Sequence, residues 1–179
     1  MDGDFPAPVI AAAGAAAREY WRTGSGEAAL IEGLAASALT LAEQFTGRAW
    51  IARAGTAVLA ASPAWQRLPL AGMSAITGVE GLPAEGAAFA LPVEAYAIDI
   101  DAWARGWVRV MQPGGAGRVR VAYTAGVAAD WAALPPPIAQ GVVLMTGHLH
   151  DHRSVGMAPP AAVAALWRPW RMLTLGAGR

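Results

Sequence analysis

Apolar residues follow helical spacing at both ends of the chain and alternate with arginine near its middle. Between Glu27 and Phe45, residues Ile31, Leu34, Ala38, Leu41 and Phe45 fall on one face of a helix. From Ile138 to His152, residues Ile138, Val142, Met145 and Leu149 form a second such stripe. Between Trp107 and Tyr123 the period changes to two: Val108, Val110, Val119, Val121 and Tyr123 alternate with Arg109, Arg118 and Arg120. That is the pattern of strands with one buried and one wet face. The run Pro113-Gly114-Gly115-Ala116-Gly117 lies between the two halves, where it reads as the loop of a β-hairpin.

The remaining elements follow from breakers and caps. Ala11 to Arg22 reads as an alanine-rich helix closed by Thr23-Gly24-Ser25-Gly26. Ser25 or Gly26 can cap the next helix, Glu27 suits its positive end, and Gly47 ends it. Candidate strands are Trp50 to Ala52, Thr56 to Ala60, Val93 to Ile100, Trp107 to Met111 and Arg118 to Tyr123. Leu134-Pro135-Pro136-Pro137 closes this β-rich stretch, because proline opens a helix at its first turn but cannot continue a sheet. A loop over Ser154 to Pro160, a short helix from Ala161 to Trp167 and a break at Pro169 complete the chain. The expectation is one α+β domain over residues 1–179. Its helical core comes from residues 9–47 and 135–168, an antiparallel β module is inserted at about 48–126, and a docking tail spans 167–179.

Composition narrows the function. The chain has no Cys, which excludes disulfide frameworks and thiolate metal sites. All 13 basic residues are Arg and formal net charge is zero, so nothing supports a nucleic-acid binder built on a basic surface. No apolar run reaches the ~18 residues that a membrane span requires. The alanine-rich start carries Asp2 and Asp4 where a signal peptide needs basic residues, so a cytosolic first helix is expected.

Candidate chemistry is sparse. His148, His150 and His152 surround Asp151, and His148 and His152 share a helix face. A zinc site needs further ligands, and the glutamate of H-E-x-x-H is absent, so polar residues at a helix end are the better reading. A small metal-dependent enzyme using His148, Asp151 and His152 is the alternative. The glycine run at 114–117 joins strands and lacks the lysine and helix of a phosphate loop. Asp99 and Asp101 read as the solvated edge of a strand. No serine stands in G-x-S-x-G. The expectation is no enzyme, no metal and no cofactor. Leu166, Trp167, Arg168, Pro169, Trp170 and Arg171 differ, because two Trp and two Arg crowd one short segment. Trp and Arg are the residues enriched at interface hot spots. Folding back onto the chain's own helices and docking onto a partner are both open to this segment.

Six short pieces then occur in a fixed order: Ala17-Arg18-Glu19-Tyr20-Trp21-Arg22, Phe45-Thr46-Gly47-Arg48, Leu68-Pro69-Leu70, Val121 to Gly126 with Leu134 to Ile138, His150-Asp151-His152-Arg153, and Leu166 to Arg171. In this order they resemble the head-tail connector (adaptor) proteins of long-tailed phages, most closely the adaptors of alphaproteobacterial gene transfer agents. The likeness spans nearly the whole chain. It departs at His150, where the family has an aromatic residue, and in the alanine-heavy N-terminal region.

The resemblance implies a structural virion protein. Copies would form a ring of expected twelvefold symmetry beneath the portal, extending the DNA channel and carrying the stopper and tail components. The implied partners are the portal protein, stopper or head-completion and tail proteins, further copies of the chain, and DNA passing without sequence specificity. No membrane is implied. Assembly would take place in the bacterial cytoplasm, and the final location would be the neck of a phage or gene transfer agent particle. Leu166, Trp167, Arg168, Pro169, Trp170 and Arg171 would contact the portal. Another neck or tail-completion protein is the neighbouring reading.

Overall fold

The computed structural model describes residues 4–22, 24–152 and 159–172. Arg153 and most of the Ser154–Pro160 loop lie outside the described residues, as does the tail beyond Met172. The described chain divides into two compact units, one of residues 5–51 with 128–172 and one centred on Ala52–Val127. Helices make up the first and two antiparallel sheets the second, so the class is α+β as expected.

The helical unit contains α1 (Ala7–Trp21), α2 (Ala28–Thr46), α3 (Pro136–Asp151) and α4 (Ala161–Trp167). A 3-10 turn, Ser25–Glu27, precedes α2 and another, Arg168–Trp170, follows α4. Glu27, rather than Ser25 or Gly26, stands at the N-cap of α2. Gly47 closes that helix at φ 69°, a left-handed position that glycine adopts without a Cβ clash. On α3 the expected stripe holds, with Ile138, Val142 and Met145 buried and Leu149 half-buried.

On α2 the buried face is rotated from the expected one. Its centre is Ala35, Ala38, Leu39, Ala42 and Thr46, while Leu34, Leu41 and Phe45 flank it. Small residues take the centre because α1 crosses closely. A Cβ on Gly14 would sit 3.3 Å from the Cα of Glu32.

In the β unit, the strands are β1 (Arg53–Ala60), β2 (Gln66–Ala71), β3 (Met73–Pro83), β4 (Phe89–Ala90), β5 (Tyr96–Ile100), β6 (Arg105–Val110) and β7 (Ala116–Ala125). One sheet has the order β1-β7-β3-β4 and the other β2-β6-β5. Ala57, Val121 and Val79 align across the first sheet and face inward. One residue along, Arg120 and Glu80 pair on the outer side at 3.0 Å.

Four expectations are corrected here. The alternating stretch from Trp107 to Tyr123 is two strands with the expected burial, but they form no hairpin: β6 and β7 belong to different sheets. Alternation reports which face is buried and says nothing about the hydrogen-bonding neighbour. Trp50–Ala52 is not a strand; Ile51 makes a single parallel bridge to Ala128. No strand was expected over β2 and β3, both of which are irregular. Pro69 falls in the gap of the β2–β6 ladder between Arg67 and Ala71, and β3 absorbs Gly78 at a register shift. Asp101 is not strand-edge decoration; it organises the β5–β6 turn, as described below.

Candidate docking site

The Trp-Arg segment is positioned by α3 and by the end of α2. Trp167, on the last turn of α4, is completely buried. A Cβ on Gly141 of α3 would overlap its indole nitrogen, so glycine is what lets the ring lie on the helix backbone. The indole N–H points at the carbonyl of Ile138 at 3.4 Å, and Phe45 packs against the ring at 5.9 Å between centroids. Trp170, half-buried, meets Trp50 edge-on at 5.5 Å and 79°, a favoured aromatic geometry.

Trp50 is anchored by polar contacts at the end of α2. Its indole N–H donates to the Thr46 hydroxyl at 2.9 Å, and its backbone N–H donates to Glu43 Oε1 at 2.8 Å. The chain then returns to the same place, where the Met172 N–H donates to the Thr46 carbonyl at 2.8 Å. That bond satisfies one of the carbonyls that a helix end leaves without an intrahelical partner. Arg48 lies 5.9 Å from the Trp50 ring centre and Arg171 lies 5.8 Å from that of Phe45, within cation–π range. Thus Phe45-Thr46-Gly47-Arg48 and Leu166 to Arg171, far apart in sequence, form one aromatic and arginine cluster.

The candidate residues therefore divide by exposure. Trp167 is interior, Leu166 and Trp170 are half-buried, and Arg168, Pro169 and Arg171 are exposed. Residues 173–179 of the expected tail lie outside the described residues.

A second aromatic, Trp21, sits on Gly147 of α3 much as Trp167 sits on Gly141, and here too a Cβ would overlap the ring. Ala17, Trp21, Ile31, Thr146, Gly147 and His150 border a cavity of about 240 Å³. The Ala17–Arg22 piece thus meets the helix that ends in His150-Asp151-His152. Sequence inspection singled out both tryptophan segments but not Gly141 and Gly147. Their six-residue separation inside a helix was the available signal.

The histidines do not converge. His150 Nε2 lies 3.1 Å from Glu27 Oε2 and Nδ1 3.3 Å from Asp151 Oδ1. Hydrogen bonding to Asp151, then to Glu27, raises the His150 pKa against a smaller opposing effect of burial. His148 and His152 stack at 4.5 Å instead, and His148 Nε2 is buried without a hydrogen-bond partner among the described residues. Among the described residues no three His, Asp or Glu side chains are grouped to hold a metal ion.

The β unit carries a separate polar node. Asp101 Oδ1 accepts from the backbone N–H of Trp103 at 2.9 Å and of Arg105 at 3.0 Å. Its Oδ2 accepts from Arg105 Nε at 2.7 Å and from the Trp107 indole at 3.1 Å. Partial burial is the largest single influence and pushes the carboxyl pKa up. The four hydrogen bonds together outweigh it and bring the value to about 2.

No protein-family model matches the chain, and no curated protein matches it. Among solved structures, the chain is 28% identical, at a TM-score of 0.76, to a chain in the neck of an empty gene transfer agent (GTA) particle computed with C6 symmetry. The alignment covers 99% of this chain and 98% of that one. A chain in the neck of a native GTA particle computed with C12 symmetry gives 29% identity and a TM-score of 0.75, covering 100% and 99%. A chain in the virion of the native particle gives 28% and 0.73, covering 97% and 96%. The likeness is to a gene transfer agent neck chain over its full length. No helix among the described residues is long and apolar enough to cross a membrane.

Proposed function

We propose that this protein is a structural component of the neck of a phage-like particle of the gene transfer agent type, and within it the adaptor between portal and stopper. The observation that carries this reading is identity of 28–29% over essentially the whole of both chains, with both units included. Copies form a closed ring around the DNA channel, and the C12 symmetry of one neck to which the chain is similar supports twelve of them. The ring assembles in the bacterial cytoplasm, holds the portal on one side and the stopper and tail proteins on the other, and performs no chemistry.

Portal contact is made by the end of α4 and the residues after it. Arg168, Pro169 and Arg171 offer exposed groups, Trp170 and Leu166 add half-buried apolar surface, and Trp167 anchors the segment from within. Neutral overall charge suits a channel component that DNA must slide past, since few phosphate contacts are then held.

Electron microscopy of particles from cells lacking the gene tests the role. Heads without tails beside free tails are the expected result. Intact tailed particles would remove the joining function altogether.

A further inference from the structure

β5 is an edge of the β2-β6-β5 sheet, and the bonds at its two ends fix which way its backbone points. The Met111 N–H donates to the Ala95 carbonyl at 2.8 Å, and the Asp101 N–H donates to the Arg105 carbonyl at 3.1 Å. Between them the register is unbroken, with Ala97 opposite Arg109 and Asp99 opposite Trp107. Hydrogen-bonded and non-hydrogen-bonded pairs alternate in an antiparallel ladder. Ala97 and Asp99 therefore turn their N–H and C=O groups toward β6, and Tyr96, Ile98 and Ile100 turn theirs away from it. Among the described residues no strand is hydrogen-bonded to that side.

The side chains are uncovered there too. Ile98 stands opposite Val108 and Ile100 opposite Gly106, on the face that buries Val108 and Val110. Even so, Ile98 is 43% exposed and Ile100 36%. Residues on a buried face stay this exposed where the sheet stops short of covering its core. Edge strands are commonly blunted by proline, lysine, a bulge or an inward charge. β5 has no proline, lysine or bulge, and its one charge, Asp99, lies on the opposite face. A further strand along β5 would satisfy the backbone groups of Tyr96, Ile98 and Ile100 and cover both isoleucines.

The chain's own strands do not supply it. β3, β6 and β7 are interior to their sheets, β4 has only Phe89 and Ala90, and β2 is interrupted at Pro69. The end of β1 is turned to β2, where Gln66 Nε2 donates to the Ala60 carbonyl at 2.8 Å. A β5–β5 pair needs a two-fold axis between copies, which neighbours in a cyclic ring lack. Asp99 adds a charge preference. It is exposed and makes no ion pair among the described residues, while Arg109 on the same face is held 4.8 Å from the Trp65 ring centre.

We infer that β5 is a docking edge for an extended segment of a different neck protein. That segment sets apolar residues against Ile98 and Ile100 and a basic residue between them, beside Asp99. This rests on the neck reading above.

Because the chain has no cysteine, Val93→Cys, exposed in the turn just before β5, can carry a single thiol-linked benzophenone. Illumination of purified particles should join it to one other particle protein, at a segment that alternates apolar and basic residues. Adding Ile98→Pro removes an outward N–H and keeps the β6 ladder. It should lower the cross-link per copy of the chain by about tenfold or more, the scale of a hot spot. Asp99→Arg should lower it as well, by repelling the basic residue, and replaces the proline variant if that one stays out of particles. A cross-link to a second copy, an attachment site without the alternation, a yield that neither substitution lowers, or no product would overturn the inference while leaving the neck role standing. Particles that lack the wild-type chain would sink both.

Discussion

The Trp167 indole occupies the space that a side chain on Gly141 would need. The helical unit is closed in part by this contact, in which α4 meets α3 with a ring lying on bare backbone. Gly141→Ala should therefore destabilise the protein by about 3 kcal/mol, at the upper end of overpacking costs because the nearest atoms belong to a rigid, fully buried ring. Trp167→Ala should cost about 3–5 kcal/mol. Urea unfolding at neutral pH measures both. A Gly141→Ala variant of unchanged stability would mean that α4 can leave α3 freely.

Asp101 should dominate the acid response of the β unit. Its folded pKa of about 2 is below the ordinary value of ~3.9. The stability that it contributes is complete above pH ~4 and is lost as pH falls toward 2. Asp101→Asn keeps an acceptor for the backbone N–H groups but loses the Arg105 pairing. The difference in stability between wild type and this variant should shrink between pH ~4 and ~2. Asp101→Ala should cost about 1–3 kcal/mol at neutral pH by leaving donors unmatched.

Ala104, in the same turn, has φ 56°. An L residue with a Cβ pays about 1 kcal/mol there, and glycine does not. Ala104→Gly should stabilise the protein by roughly 0.5 kcal/mol at most, since its greater unfolded-state freedom offsets ~0.4–1 kcal/mol of the relieved strain. Thermal unfolding would show the gain as a rise in Tm.

His150 should act in the opposite sense to Asp101. Its folded pKa is raised, so its pairing with Asp151 and Glu27 is present in full below the ordinary histidine pKa of ~6.5. The contribution is lost as pH rises through the folded value. Glu27→Gln should flatten the decline in stability above pH ~6.5 and lower stability at pH 5. Equal pH profiles for the two proteins would remove the link between the start of α2 and the end of α3.

Reversing Arg168 and Arg171 together to Glu should lower stability by no more than about 1 kcal/mol, since both side chains are exposed and the lost Arg171–Phe45 contact is a cation–π pair at the surface. Tailless heads should accumulate in cells carrying this variant. Trp170→Ala should weaken neck assembly by ~2 kcal/mol or more if the ring is a hot spot. It also removes the Trp50 contact, which makes the arginine pair the cleaner probe.

Helices were legible where large apolar residues mark the face, as on α3, and where Gly47 marks the end. The α2 face was misjudged because alanine and glycine, invisible to a hydrophobic stripe, sit where helices approach most closely. In the β unit the alternation of Val and Arg gave burial correctly for β6 and β7. Sheet membership depends on long-range pairing that no local pattern encodes. β2 and β3 are irregular strands, with Pro69 in a ladder gap and Gly78 at a register shift, and a period-two pattern marks only regular ones. Of the candidate site, the residues were legible and their exposure was not. Nothing in Leu166 to Arg171 alone reveals that Gly141 takes in the first tryptophan and leaves the arginines outside.

The interleaving of strands has a consequence for synthesis. β1 finds its sheet partner only in β7, and β2 only in β6. The carbonyl of Thr46 likewise waits for Met172, and Arg48 meets the sulfur of that residue across 124 positions of chain. Neither unit can therefore close on a growing chain until most of it has left the ribosome, and such late, long-range closure is slow. A product truncated before Ala116 would expose the β1 and β3 edges that β7 covers, and should be degraded before it could reach a particle.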